Sequence, residues 1–210
     1  MPQVSLTDFL AAVQAGQLVS FPTDTVPALA TLPQASDRIY QIKQRSQTKP
    51  LILMGANRAD LWPYITGTEA EQTQWTTMAD RYWPGALTLV LPASDRLPPA
   101  MNPANTGTLG LRIPDHPLAQ YLLERTGPLA TTSVNHSGQP ALETLAEIAA
   151  EFPEITTLSP AALAEIYAQL GDAPVPPMEK PQGSGLPSTV VAWRDGHWDV
   201  LRQGSVTITP

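Results

Sequence analysis

I-Y-Q-I-K-Q-R-S-Q-T-K-P-L-I-L-M, residues 39–54, carries two of the chain's three lysines, Lys43 and Lys49, with Arg45 between them. The pattern over 37–44 predicts a helix, and the apolar run 51–54 directly after it predicts a buried strand. Cations that scarce are not scattered for solubility. Presented where a helix exits and anchored by a strand, they form a candidate clamp for phosphates or carboxylates. A solvated helix end, with cations near its negative dipole, is the plainer alternative.

Working outward, helical and strand signals alternate. Residues 5–16 predict an amphipathic helix, capped by Ser5 or Thr7 and ended by Gly16. A short strand over 18–21 then delivers P-T-D-T, residues 22–25, at its C-terminal end, where open α/β sheets place ligand sites. Helices are expected over 57–64 and 69–82 and strands over 86–91 and 108–113. A proline- and asparagine-rich loop over 95–107 separates the two strands and is a candidate lid. Asp115 is the expected cap of a helix over 117–125, and a strand over 129–132 opens into S-V-N-H-S-G, residues 133–138. Further helices are expected over 144–152 and 160–170, and 172–187 is the most linker-like segment. Strands over 190–193 and 200–202 flank Asp195-Gly196, a strong hairpin signal. The expected fold is a single α/β domain over residues 1–210: a twisted mixed sheet, flanking helices and a concave anion-binding face.

The composition narrows the function. With no cysteine, disulfides, thiolate zinc sites and cysteine nucleophiles are excluded, and the three histidines, His116, His136 and His197, lack any metal-ligand spacing. No metal is therefore assigned to protein ligands. A net charge of −7 opposes non-specific binding to duplex nucleic acid unless the cations gather on one face. No apolar run is long enough for a membrane span, and the first residues carry no secretory pattern, so a cytoplasmic protein is expected.

The phosphate-binding and hydrolytic signatures G-x-x-x-x-G-K-[ST], G-x-G-x-x-G, H-E-x-x-H and G-x-S-x-G are all missing. Polar side chains instead recur where strands end: Thr23 and Thr25, Lys43 and Arg45, Arg112, Ser133 and Asn135, Ser188 and Thr189. Arg112 interrupts an apolar strand and needs a partner, either an internal carboxylate or that of a ligand, because an unpaired buried guanidinium is costly. Thr88, in the middle of an apolar strand, reads as a core hydroxyl.

Taken in order, the motifs are P-T-D-T (22–25), K-x-R (43–45) with K-P-L-I (49–52), W-P-G-x-L-T-L-V-L (83–91), G-L-R-I-P (110–114), T-S-V-N-x-S-G (132–138), P-S-T-V-V (187–191) and L-R-x-G-S (201–205). Each is weak alone, but their shared order resembles the Sua5/YrdC/YwlC family of threonylcarbamoyl-AMP synthases over roughly residues 5–206. The resemblance implies a nucleotidyltransferase that condenses L-threonine, bicarbonate and ATP, with Mg²⁺, into threonylcarbamoyl-AMP and pyrophosphate. Its product would pass to proteins that modify adenosine 37 of tRNA. It implies Lys43, Arg45, Ser133 and Asn135 as the catalytic constellation. Lys43, Arg45, Lys49, Thr108, Thr131, Asn135 and Arg202 are then expected at ATP, and Thr23, Thr25, Arg112, Ser133 and Ser188 at threonine.

Three departures qualify the resemblance. Where the family continues P-T-D-T-V with Tyr-Gly-Leu, this chain has Val26-Pro27-Ala28-Leu29, without the aromatic wall and the glycine. Residues 151–182 lack the usual lead-in to S-T-V, and the C-terminal extension of the Sua5 subtype is not expected. A diverged paralogue that binds nucleotide or RNA without making the adenylate is therefore the alternative.

Overall fold

The computed structural model describes residues 1–171, 177 and 179–208. The chain order is β1 (Gln3–Val4), α1 (Leu6–Gln14), β2 (Val19–Phe21), β3 (Ala28–Thr31), α2 (Asp37–Ile42), β4 (Ile52–Met54), α3 (Arg58–Leu61), α4 (Glu69–Tyr82), β5 (Leu87–Pro92), β6 (Thr108–Arg112), α5 (Pro117–Thr126), β7 (Leu129–Ser133), α6 (Leu145–Glu151), β8 (Thr157–Leu158), α7 (Pro160–Gln169), β9 (Thr189–Arg194) and β10 (His197–Arg202).

Eight strands form one mixed, twisted sheet in the order β10-β9-β5-β6-β4-β7-β3-β2. Among the described residues of this sheet, the β4/β6 and β5/β9 pairs are parallel and the other pairs antiparallel. A separate two-stranded sheet joins β1 to β8. Residues distant in sequence thus become neighbours: β4 lies between β6 and β7, with Met54 opposite both Arg112 and Leu129.

Apolar periodicity explains where the helices pack. Phe9 and Val13 of α1, Leu118 and Leu122 of α5 and Ile166 of α7 share one core cluster with Val19 and Phe21. Trp75 of α4, Leu61 and Ile148 join Leu53, Leu87, Leu89 and Leu111 in the other. Each such side chain contributes roughly 1.5–3 kcal/mol by leaving water. Local chemistry sets the helix starts: Ser5 caps α1, and Thr68 with Glu71 makes a reciprocal capping box on α4.

Most expected elements are present, including the hairpin across Asp195-Gly196. Three differences stand out. His116, not Asp115, caps α5, accepting from the Ala119 N–H at 3.4 Å, because Pro117 opens the helix and so makes its predecessor the cap. The strand β3 was not expected, since Pro27 and two alanines of low strand propensity hide it; its pairing with both β2 and β7 creates it. Of the linker-like segment 172–187, residues 172–176 and 178 lie outside the described residues, while 182–187 are a strap hydrogen-bonded across the P-T-D-T turn. Among the described residues no helix is long and apolar enough to cross a membrane.

Candidate active site

The period of two along each strand puts Ile52 and Met54 of β4, Thr131 and Ser133 of β7, Arg112 of β6 and Ala28 of β3 around one cleft. Thr23, Thr25, Val26 and Pro27 form one wall, Arg45 and Pro50 a second, and Pro187, Ser188 and Arg202 a third. The cleft encloses about 170 Å³ and opens to solvent at its mouth. Three guanidiniums reach it and, among the described residues, no carboxylate lines it, so the cleft favours an anion.

The P-T-D-T turn builds its own scaffold. Thr23 Oγ1 donates to the Val26 carbonyl at 2.8 Å and accepts from the Thr25 N–H at 3.2 Å. It also lies 3.0 Å from Thr25 Oγ1, which in turn accepts from Arg112 at 2.8 Å. Arg112 further donates to the Gly85 carbonyl at 3.1 Å and to Asp24 Oδ1 at 2.6 Å. Of the two partners a buried arginine could have, the fold supplies the internal one. Burial lowers the Arg112 pKa and Asp24 opposes that shift, so the guanidinium stays charged.

Above this turn lies the strap. The Ser184 and Gly185 N–H groups donate to the Asp24 and Thr25 carbonyls at 3.2 and 2.9 Å, and the Gln182 N–H to Glu143 O at 2.8 Å. Gly183 has φ +122°, and a Cβ there would stand 2.4 and 2.5 Å from the Thr25 and Thr23 carbonyl oxygens. Glycine alone permits that approach. On the opposite wall Arg202 donates to the Ser188 carbonyl at 2.8 Å, while Ser188 Oγ is 2.9 Å from Thr88 Oγ1. The core hydroxyl of Thr88 therefore holds a cleft residue.

Arg45 is half-buried and donates through Nε and Nη2 to the Lys49 and Pro50 carbonyls, leaving part of its fork facing the cleft. Lys43 is 1% exposed and lies beneath the floor. Its ammonium donates to Ser133 O at 2.5 Å, Asn135 O at 2.6 Å and Asn135 Oδ1 at 2.9 Å. Burial, and secondarily the Arg45 guanidinium, push the Lys43 amine down to about 7.

Of the side chains singled out in the sequence, Thr23, Thr25, Arg45, Arg112, Thr131, Ser133, Ser188 and Arg202 therefore meet in one cleft. Lys43 and Asn135 sit directly behind it. Lys49 is exposed and contributes its carbonyl to Arg45. Thr108 stands at the far end of β6 beside Thr106 Oγ1 at 3.2 Å, away from the cleft. Sequence reasoning missed Asp24 as the partner of Arg112, although the demand for a carboxylate and the motif's own aspartate together pointed to it. It also missed the strap, which no strand or helix period reveals.

Known proteins match this arrangement. The Sua5_yciO_yrdC family model, described as "Telomere recombination", matches residues 11–204. The threonylcarbamoyl-AMP synthase of Bacillus subtilis (strain 168) is 33% identical over 204 residues, covering 94% of this chain and 52% of that protein. The threonylcarbamoyl-AMP synthase of Vibrio vulnificus (strain YJ016) is 38% identical over 69% of this chain and 78% of its own length. Among solved structures, P. abyssi Sua5 complexed with L-threonine superposes with a TM-score of 0.77 at 27% identity, over 94% of this chain and 53% of that one. The chain thus spans about half the length of the Bacillus and P. abyssi proteins. With nearly its whole length matched and its polar motifs gathered in one cleft, the chain belongs to the Sua5/YciO/YrdC family.

Proposed function

We propose that this protein is an L-threonylcarbamoyladenylate synthase. What carries the proposal is the convergence of Arg45, Arg112 and Arg202 with the hydroxyls of Thr23, Thr25, Thr131, Ser133 and Ser188 on one cleft. That lining suits two ligands at once: a polyanion and a small hydroxy-amino acid. The naming of its relatives as threonylcarbamoyl-AMP synthases, and the threonine in P. abyssi Sua5, support the same substrates here.

In this reading the threonine amine takes up bicarbonate carbon to form a carbamate, with loss of water. A carbamate oxygen then attacks the α-phosphorus of ATP in line, the bond from that phosphorus to the bridging oxygen breaks, and pyrophosphate leaves with the electron pair. No covalent protein nucleophile is needed; the protein's task is placement and charge. Arg45 faces the phosphates, and Arg202, which donates to the Ser188 carbonyl, closes the nucleotide side, while the Ser188 hydroxyl is on the threonine side. Arg112, already neutralised by Asp24, keeps N–H groups for the threonine carboxylate, and Thr23, Thr25 and Ser133 supply hydroxyls. Among the described residues no group of three or more His, Asp or Glu is placed to hold a metal. Mg²⁺ would enter on the ATP phosphates, where it offsets their charge.

The product is a mixed anhydride and requires an acceptor, in keeping with handover to tRNA-modification proteins. Threonine- and bicarbonate-dependent pyrophosphate release from ATP tests the proposal, and Arg45→Ala should lower it about 100-fold. A second reading has one observation in its favour: Val26, Pro27 and Ala28 line the cleft where the family pattern has an aromatic residue and a glycine. Retention of nucleotide or RNA with no threonine-dependent turnover would select that non-synthase paralogue.

A further inference from the structure

The K-x-R spacing places its two cations in different environments, and the backbone between them shows how. Lys43 caps the C-terminus of α2 in helical conformation, and Gln44 then adopts φ +48°, a left-handed geometry that costs a non-glycine residue roughly 1–2 kcal/mol. The Arg45 N–H returns to the Tyr40 carbonyl at 2.9 Å and closes the helix end. This reversal sends Lys43 inward and Arg45 toward the cleft.

An ammonium has three N–H donors and no acceptor. All three of those of Lys43 are matched, to Ser133 O, Asn135 O and Asn135 Oδ1. Its partners build outward in turn. Asn135 Oδ1 also accepts from Ser133 Oγ at 2.6 Å, while Asn135 Nδ2 donates to the His136 and Gln139 carbonyls at 2.8 and 2.7 Å. The Lys43 carbonyl accepts from the Ser137 N–H at 3.2 Å. One nitrogen therefore holds both ends of the Ser133-Val134-Asn135 segment, whose hydroxyl faces the cleft.

We propose that Lys43 is a positioning residue: it moulds the 133–139 turn that presents Ser133, and the polyphosphate is met by Arg45 rather than by the lysine. The nucleotide half of this proposal rests on the synthase reading; the turn half does not. A lysine in contact with phosphate would leave N–H groups facing the cleft, and this one has none to spare.

The test compares Lys43→Met with Arg45→Met at pH 6.5, where the lysine carries its proton, using calorimetric titration with AMP and with ATP. A positioning role predicts that Lys43→Met weakens both nucleotides by the same factor, about tenfold from the lost charge-assisted bonds. Arg45→Met should weaken ATP at least about ten times more than AMP, since the extra phosphates are what it meets. Without nucleotide, hydrogen exchange at the Val134, Ser137, Gln139 and Leu142 amides should accelerate in Lys43→Met and stay unchanged in Arg45→Met. Lys43→Arg covers the case in which Lys43→Met fails to fold: it keeps the charge, but a planar fork cannot reach three oxygens from one nitrogen, so the turn stays loosened. Selective loss of ATP in Lys43→Met, unchanged exchange in the turn, or restored ATP binding in Lys43→Arg would each overturn the proposal. A wild-type protein that binds neither nucleotide would sink the synthase reading instead, and amide exchange would then decide the role of Lys43.

Discussion

Two buried cations flank the same cleft and are satisfied in opposite ways. Arg112, 4% exposed, meets the Asp24 carboxylate together with a hydroxyl and a carbonyl. Lys43, 1% exposed, meets only neutral oxygens. A charge with a counter-ion is tolerated inside the fold, whereas one held by dipoles alone loses part of its hold on the proton. The arginine is therefore an ion paired within the fold that has N–H groups left over for a ligand, and the lysine is a brace for neighbouring backbone.

Removing Asp24 should break this contrast most severely. Asp24→Ala leaves Arg112 buried without its carboxylate and should lower unfolding stability by about 3–5 kcal/mol in urea titrations. The double variant with Arg112→Leu should recover part of that loss, because no stranded charge remains. A loss below about 1 kcal/mol in the single variant would mean that Arg112 finds water instead.

Gly183→Ala is next. Its Cβ would collide with the Thr23 and Thr25 carbonyls, so the strap must lift, at a cost of about 2–3 kcal/mol. Limited proteolysis should then cut within 182–187, and unchanged protection would show that the strap does not hold the P-T-D-T turn.

The lysine side of the contrast is sharpened by pH. Because the folded Lys43 amine titrates near 7 rather than at its ordinary 10.5, the unfolded chain binds more protons across that window. Wild-type stability should accordingly rise relative to Lys43→Met above pH 7, by about 1 kcal/mol from pH 7 to 8, and level off once the unfolded amine also titrates. A difference between the two proteins that is flat with pH would show that the lysine keeps its proton as firmly as Arg112 does. The smallest effect is expected at Gly138, where φ is +87° and a Cβ would meet nothing within 4 Å: Gly138→Ala should cost about 1 kcal/mol from backbone strain alone, read as a small shift of the urea midpoint.

The helices and central strands were legible because their signals are local. Phe9 and Val13 share a helix face, Thr68 and Glu71 announce a start, and 87–91 form an apolar run long enough to be a buried strand. β3 was hidden because it follows Pro27 and the alanines on either side of Leu29 form a strand only between two partners. The cleft was legible as a set of residues but not as an arrangement. Thr108 and Arg112 belong to one strand, yet its length of about 13 Å puts them at opposite ends. Lys43 and Arg45 are two residues apart, and one left-handed residue sends them in different directions.

By itself the sequence determined which residue types were available: scarce cations, hydroxyls at strand ends, and a buried arginine that demanded a carboxylate. Those demands are set by chemistry, which a chain carries wherever it is placed. Which carboxylate answered Arg112, which lysine turned inward, and which glycine let the strap lie against the turn were decided by sheet order and chain reversal. These contacts join residues up to about 160 positions apart, and distance along the chain holds no record of them until the strands pair.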